Sequence, residues 1–347
     1  MIEMIGVLAV ASLLAGIEPV APENAQAKVP VKASAIEPDI YFVDAELLWW
    51  RPDQNGMGYC MVSNDLSPAL LGDQIKEKGQ TSSSGVGLRI GVGMQLGERS
   101  ADVGFYWTSF HHSASNSVKG PVIFSVPLWG PGTELSVGGD LVGGGGAKSS
   151  WHLKVDLLEL DVGYRIPFRD QFVLRPYLGV TGGWIDQKQH MTFDHFFFNQ
   201  AELDGKVEVK RDFCGVGPKL GMTGDLALKW GFGLFGNLAG TLFYGWVDAP
   251  NRIDVALTPP LPAPNPEQRI RSSERQIFPA LQAQAGLNWH YPLFEHGAIY
   301  FMVAYEAQYF WNVWQRFSSV TQTVFVPNTG SSDLSLSGMT FQAKLSF

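Results

Sequence analysis

Ten segments of this chain alternate apolar and polar residues with a period of two, which is the repeat of side chains along a β-strand. The last segment shows the pattern in its simplest form, because Met339, Phe341, Ala343, Leu345 and Phe347 share one parity and polar residues occupy the other. The other nine lie near residues 41–49, 85–94, 102–108, 151–164, 174–184, 216–223, 232–246, 281–290 and 298–311.

The gaps between these segments are alternately long and short. The long gaps, residues 51–84, 111–150, 186–211, 248–276 and 312–337, contrast with short gaps at residues 96–100, 167–171, 229–231 and 292–297. Outer-membrane barrels combine long extracellular loops with short periplasmic turns. The pattern therefore predicts an all-β chain: a transmembrane up-and-down antiparallel β-barrel of about ten strands with both ends on the periplasmic side. Twelve strands are the alternative, if residues 118–126 or 193–198 form further strands.

Composition agrees with a barrel and excludes other classes. Charged residues make up 17% of the 347 residues, hydrophobic residues 45%, and the mean hydropathy is +0.01. Lipid-facing and lumen-facing residues average out in a barrel, whereas a helical membrane protein needs apolar runs of about eighteen residues or more. The net charge of −8, without a basic stripe, argues against a nucleic-acid partner.

The N-terminal residues predict export. Residues 5–14 form an apolar core, and Ala25-Gln26-Ala27 fits the small-x-small rule for signal cleavage. We expect a signal peptide at residues 1–27, a short periplasmic segment at 28–39 and the barrel at 40–347, in the bacterial outer membrane. The alternative is a short buried helix of a cytoplasmic protein.

Along residues 151–164 the apolar parity shifts by one residue at Leu157 and Leu158, which predicts a β-bulge. This interpretation puts Trp151 on the lipid side. Aromatic residues favour the two membrane interfaces of a barrel. The predicted interface aromatics are Trp49, Trp107, Trp151, Trp184, Trp246, Trp311 and Phe347.

The charged residues of inward parity are the candidate functional set. They are Asp44, Glu46, Arg89, Asp102, Asp161, Arg175, Lys219, Asp225, Glu306 and Lys344. Rings of charge lining a pore set ion selectivity. The alternative is a salt-bridged plug, because the lumen of a small barrel is filled by side chains. Inward glycines such as Gly91 and Gly221 thin the lining, which favours an opening.

Candidate chemistry elsewhere is weak, so we expect neither an enzyme, a metal site nor a cofactor. Residues 143–149 lack the glycine that a phosphate-binding loop places directly before its lysine. His111, His112, His190 and His195 are expected to be solvated loop residues. Cys60 and Cys214 both map near the extracellular end, where they could form a disulfide or remain free or intermolecular thiols.

Several motifs together resemble one family. They are Arg51-Pro52 after the first segment, Trp151-His152-Leu153-Lys154, Leu174-Arg175-Pro176-Tyr177, Gly215-Val216-Gly217-Pro218-Lys219, and Tyr305-Glu306-Ala307-Gln308-Tyr309. In this order they are similar to the major-outer-membrane-protein-like, pore-forming family of Legionella-type and chlamydia-related bacteria. The resemblance implies an outer-membrane barrel with porin activity.

We therefore predict a porin-like passive channel for ions and small hydrophilic solutes. The alternative function is a non-conducting structural or adhesive surface barrel whose long loops bind a partner. The expected partners are outer-membrane lipid and the barrel-insertion machinery, since a terminal Phe347 resembles the signal that this machinery recognises. A homo-oligomer is compatible with this prediction.

Overall fold

The computed structural model describes residues 40–55, 57–63, 76–78, 83–96, 100–119, 122–125, 141–142, 145–168, 171–198, 201–258, 268–293, 297–321 and 324–347. The expected signal peptide at residues 1–27 and the periplasmic segment at 28–39 lie outside these ranges. Among the described residues, no helix is both long and apolar enough to cross a membrane.

The described residues form β-strands almost throughout. The strands are β1 Ile40–Gln54, β2 Cys60–Ser63, β3 Lys76–Lys78, β4 Gly85–Leu96, β5 Ala101–Lys119, β6 Val122–Ser125, β7 Leu141–Val142, β8 Gly146–Tyr164, β9 Ile166–Phe168, β10 Phe172–Phe198, β11 Ala201–Ala227, β12 Phe232–Thr258, β13 Gln268–Pro292, β14 Ala298–Thr321 and β15 Val324–Ser346. A 3-10 turn, Lys229–Gly231, joins β11 to β12.

Ten long strands close into one antiparallel barrel. Around the wall the order is β1, β4, β5, β8, β10, β11, β12, β13, β14 and β15, and β15 pairs with β1 to close the ring. At this seam Asp44 lies opposite Lys344, and the backbones of Tyr41 and Phe347 exchange two hydrogen bonds of 2.9 Å. The ten-strand prediction is confirmed.

The alternative of twelve wall strands is not realised by the described residues. Residues 193–198 are the end of β10 and pair with β11, so they lengthen an existing strand. β6 belongs to a separate three-stranded sheet with β2 and β3. β7 and β9 are short additions to the edge of β10.

Among the described residues, the predicted long loops at 186–211, 248–276 and 312–337 are strand extensions. β10, β11 and β12 are each 27 residues long, so residues 186–198 and 201–211 continue as paired strands. Outward residues of β10 are apolar from Leu174 to Trp184 and polar from Asp186 onward. Ten residue steps of about 3.3 Å, tilted by about 40–45°, give a height near 25 Å, which is the apolar band of an outer-membrane barrel. Beyond Trp184 the outer wall changes from lipid-facing to water-facing chemistry while pairing continues.

The predicted β-bulge at Leu157 and Leu158 is wrong. β8 keeps an unbroken register with both neighbours, in which Leu157 lies opposite Thr108 and Leu158 opposite Trp107. Leu157 points into the barrel and Leu158 points outward. The apparent change of parity arises because the inner face of β8 turns from apolar to charged along the strand while its outer face turns from charged to apolar.

Candidate functional site in the barrel interior

From the short turns to the height of the outward tryptophans, the inward side chains form two layers stacked along the barrel axis. We call the half toward the short turns the polar layer; it holds the charged residues of inward parity together with amide and hydroxyl groups. We call the half toward the extended strands the apolar layer. Its buried residues include Leu48, Trp50, Phe110, Trp151, Leu153, Val155, Leu157, Ile185, Phe213, Phe243, Val247, Phe278, Phe310, Leu334 and Leu336.

Arg89 on β4 is the centre of the polar layer. Its guanidinium donates to Glu46 Oε2 at 2.6 Å, to Glu306 Oε1 at 2.9 Å and to Thr108 Oγ1 at 2.9 Å. Glu46 lies directly opposite Arg89 on the neighbouring strand, whereas Glu306 reaches it from β14. The side chain of Glu306 is 0% exposed, so this carboxylate is fully removed from bulk water. Such a group is stable only because donors surround it.

Several further donors complete the hydrogen bonding of the Glu306 carboxylate. Gln282 and Gln308 donate to its Oε1 at 2.8 and 2.9 Å, and Thr340 donates to Oε2 at 2.9 Å. Gln342 on β15 donates to Glu46 Oε1 at 3.0 Å and to Asp44 Oδ2 at 3.2 Å. The network therefore links the seam strands β1 and β15 with β4, β13 and β14.

A second ion cluster lies across the lumen. Lys219 on β11 donates to Glu159 Oε1 at 2.9 Å, and its ammonium lies 3.7 Å from Asp161 Oδ2. The same ammonium lies 5.5 Å from the centre of the Tyr177 ring, and the Tyr177 hydroxyl donates to Asn237 Oδ1 at 2.9 Å. Glu159 was missed by the sequence interpretation although it shares the parity of Asp161.

The third ion cluster lies near the short turns. Asp102 accepts hydrogen bonds from the Arg175 guanidinium, one of them from Nε at 2.7 Å, and from Arg165 Nε at 3.2 Å. Arg165 Nη1 also donates to Gln95 Oε1 at 2.6 Å. Arg165 follows the end of β8 and was missed because it lies outside the alternating segment.

The remaining candidates also lie on the inner wall. Asp225 accepts a hydrogen bond of 2.9 Å from Asn288, and the Lys344 ammonium lies 3.8 Å from the centre of the Phe42 ring. All ten predicted charged residues therefore face the interior, and most are joined in clusters of opposite sign. Whether they line a conducting pore stays a prediction.

Inward glycines make room for neighbouring side chains instead of opening the lumen. A Cβ at Gly91 would lie 2.5 Å from the Tyr106 ring, and a Cβ at Gly221 would overlap the Tyr177 ring. Each tyrosine is paired with the glycine on the neighbouring strand, and its ring covers that glycine. The inference that glycines thin the lining is therefore wrong at these two positions.

Trp151 belongs to the apolar layer, which corrects its prediction as a membrane-interface residue. It is 1% exposed and points inward from β8. The error follows from the misplaced bulge described above. Its ring meets His112 edge-on at a centroid distance of 5.9 Å, and His112 stacks on Phe110 at 6.5 Å. His112 is therefore buried rather than solvated.

Phenylalanines from four strands fill the opposite side of the apolar layer. Phe213 lies 4.3 Å from Phe278 between ring centres, Phe243 lies 5.3 Å from Phe278, and Phe310 lies 6.4 Å from Phe243. The segment after β1 adds to this layer, since Met57 is buried against it and the Met57 carbonyl accepts a hydrogen bond of 3.4 Å from Gln189.

Above the apolar layer the inner wall mixes polar side chains with buried apolar ones such as Met191, Phe193 and Val207. Gln187 on β10 lies directly opposite Arg211 on β11, and Asn251 extends from β12 one step further out. Each is at most 7% exposed. Among the described residues, the amide atoms of Gln187 and Asn251 and the Nε of Arg211 have no hydrogen-bond partner. Burial lowers the pKa of the Arg211 guanidinium to about 10, while the more distant Glu274 carboxylate acts in the opposite direction.

The outer wall carries the predicted interface aromatics. Trp49, Trp107, Trp184 and Trp246 point outward with 41–54% of their surface exposed, and Phe347 is exposed at the other end of the barrel. Trp311 also lies on the outer wall, where it is partly exposed. Ion pairs such as Lys188 with Glu208 begin directly beyond these tryptophans. The position of the aromatics in a bilayer stays a prediction.

Cys214 lies on the outer wall with a free, exposed thiol. It is opposite Trp184 on one side and Trp246 on the other. The side chain of Cys60 lies outside the described set, so the choice between a disulfide and free thiols stays a prediction. Within the described residues, no group of three or more His, Cys, Asp or Glu side chains is arranged to hold a metal ion.

Comparisons with known proteins identify a family for this chain. A family model described as Legionella pneumophila major outer membrane protein precursor matches residues 30–347. A search of the curated proteins found no match. The outer membrane protease OmpT from Escherichia coli is 10% identical with a TM-score of 0.46, and the alignment covers 91% of this chain and 99% of OmpT.

A Pseudomonas aeruginosa FadL homologue is 8% identical with a TM-score of 0.28, covering 89% of this chain and 90% of the homologue. The translocator domain of the autotransporter NalP from Neisseria meningitidis is 9% identical with a TM-score of 0.29, covering 100% of this chain and 94% of that domain. These three likenesses are weak and carry no argument about fold or activity. Since the family model spans nearly the whole chain, this β-barrel of the bacterial outer membrane belongs to the Legionella pneumophila major outer membrane protein family.

Proposed function

We propose that the protein is a porin-like passive channel for ions and small hydrophilic solutes, closed at rest by its own side chains. The carrying observation is the cluster of ionisable groups around Arg89, Glu46 and Glu306, which lies at the depth of the apolar outer band. Ionisable groups inside a membrane-spanning segment are costly and mark ion or solute pathways. The proposal assigns the chain no catalytic role.

The two layers resemble the parts of a gated passage. Charged and polar groups that line a pore select ions, and a hydrophobic constriction blocks them by excluding water. Here the polar layer supplies groups of both signs, and the Phe243 and Phe278 rings lie in the apolar layer above it. Apart from Met57, the described filling groups of the apolar layer are side chains of the barrel wall, so that rotamer changes could open a path while the strands remain paired.

A non-conducting surface barrel is the second candidate. It is favoured by the narrowness expected of a ten-stranded lumen and by the filled interior. The strand extensions would then be the functional part, and they would present their charged outer faces to a partner.

Conductance of the refolded full chain in planar bilayers distinguishes the two candidates. The test variant is Phe243→Ala with Phe278→Ala, which removes two neighbouring rings of the apolar layer from paired positions on β12 and β13. We expect higher conductance or more frequent opening than in the wild type, because the constriction becomes wider and easier to wet. Leu238→Ala is the matched control, since Leu238 on the same strand faces outward and should leave conductance unchanged.

Ion selectivity provides a second readout. Arg89→Ala removes the cation at the centre of the polar layer, so the open channel should become more cation-selective. Absence of channel events at any voltage, in the wild type and in the double phenylalanine variant alike, would contradict the proposal and favour the closed surface barrel.

A further inference from the structure

Three polar side chains above the apolar layer carry buried atoms that have no hydrogen-bond partner among the described residues. Gln187, Arg211 and Asn251 lie on the consecutive strands β10, β11 and β12. In the described part of the chain, five of their polar side-chain atoms have no hydrogen-bond partner. Burying an unpaired amide or guanidinium atom costs about 1–3 kcal/mol or more, so three neighbouring residues with such atoms require an explanation.

Arg211 is the informative member of this group. It is 5% exposed, and no described carboxylate forms an ion pair with it. Glu274 acts on it only at a distance, and this carboxylate is exposed and accepts a hydrogen bond of 3.2 Å from Ser272. By contrast, Arg89 and Lys219, which are as deeply buried as Arg211, are each paired with two carboxylates.

The apolar layer begins one inward residue below Gln187 and Arg211. Ile185 precedes Gln187 on β10, and Phe213 follows Arg211 on β11, both on the inner face. Phe213 packs against Phe278 and Phe243. The inner wall at this height therefore places a cation and two amides directly beside a cluster of aromatic rings.

We propose that Gln187, Arg211 and Asn251 form a binding site for a small organic carboxylate with an aromatic body. The carboxylate would accept hydrogen bonds from the Arg211 guanidinium and from the amides, which is the pairing that guanidinium geometry favours. The aromatic body would lie against Phe213 and its neighbouring rings. This inference goes beyond the channel function and depends only on the geometry of the barrel.

Equilibrium dialysis of radiolabelled benzoate against the refolded full chain in neutral detergent tests the site, with protein-free micelles as the blank. We expect saturable binding of benzoate, and weaker binding of acetate, which lacks the ring. Arg211→Met should lower the benzoate affinity by roughly tenfold or more, because it removes charge-assisted hydrogen bonds. Arg211→Lys should retain part of the affinity, since the charge remains without the planar donor pair.

Lys210→Met is the matched control, because Lys210 is adjacent in sequence but points outward and pairs with Asp212. Its affinity for benzoate should equal that of the wild type, and heat-modifiable migration on a gel checks that every variant is folded. Benzoate retention equal to that of empty micelles, equal binding of acetate, or unchanged affinity in Arg211→Met would overturn the proposal. Dialysis needs no ion flow, so its outcome is independent of the conductance experiment.

Discussion

At the scale of single residues, the interior is governed by how each buried charge is satisfied. Arg89 is held by two carboxylates and a hydroxyl, whereas Arg211 has no described ion-pair partner. A buried ion pair contributes little over an apolar pair of the same shape, but removal of one partner leaves an uncompensated charge. The two arginines should therefore respond in opposite ways to neutral replacement.

Arg89→Met should destabilise the barrel by about 3–5 kcal/mol, because Glu46 and Glu306 would lose their shared cation. Urea unfolding of the refolded protein, followed by tryptophan fluorescence, measures the change in midpoint. The triple variant with Glu46→Gln and Glu306→Gln should recover much of the loss, since no charge remains unpaired. A single variant as stable as the wild type would show that water reaches these groups.

Cys214 yields a prediction about the outer wall. Because its thiol is free and lies between two outward tryptophans, unreduced protein should react with maleimides. In proteoliposomes an uncharged maleimide should label it faster than a charged one, since the thiol lies at the apolar edge of the band. A Cys60→Ser variant isolates this site. Labelling of the wild type only after reduction would instead demonstrate a disulfide.

At the scale of strands, period-two alternation predicted the outward faces better than the inward ones. Lipid requires apolar residues on the whole outer face of the band, so Leu178, Leu220 and Leu238 could be assigned from the sequence. The interior imposes no single chemistry. On β8 the inner residues change from Leu157 to Glu159, and parity alone cannot tell an apolar inner face from an apolar outer face.

The strand extensions and the pairings in the polar layer could not be predicted for a related reason. Beyond Trp184 the outer face of β10 is polar, and its inner face mixes Ile185, Met191 and Phe193 with two glutamines, so the paired hairpin there lacks the alternation that marks a strand. The contact between Arg89 and Glu306 spans 217 positions, so it follows only from closure of the barrel. Its participants were nevertheless identifiable as inward charges.

The outer face of β10 should be sensitive to charge only inside the apolar band. Leu178→Arg replaces an outward residue near the middle of the band and should cost about 2–4 kcal/mol in lipid. Asp194→Arg, on the same strand and the same face but beyond the band, should change stability by no more than about 0.5 kcal/mol. Unfolding of the two variants and the wild type in lipid vesicles measures these changes in stability. Equal effects would mean that the band does not coincide with the bilayer.

At the scale of the whole molecule, the barrel combines a membrane-spanning part with a wall that continues beyond it. β10, β11 and β12 each run for 27 residues, while about ten are enough to cross the apolar band. The apolar layer lies at the height of the outward tryptophans, between the polar layer and this extension. Any solute that enters from outside would meet the Arg211 site before the constriction.

The seam between β1 and β15 also has a consequence for the order of folding. Trp50 donates to Thr340, and Gln342 donates to Glu46, across separations of 290 and 296 positions. Contacts so distant in sequence are slow to form. Thr340 also completes the hydrogen bonding of Glu306, so an unclosed chain would keep these carboxylates hydrated. Dehydration of the interior and closure of the cylinder should therefore occur as one late, cooperative step.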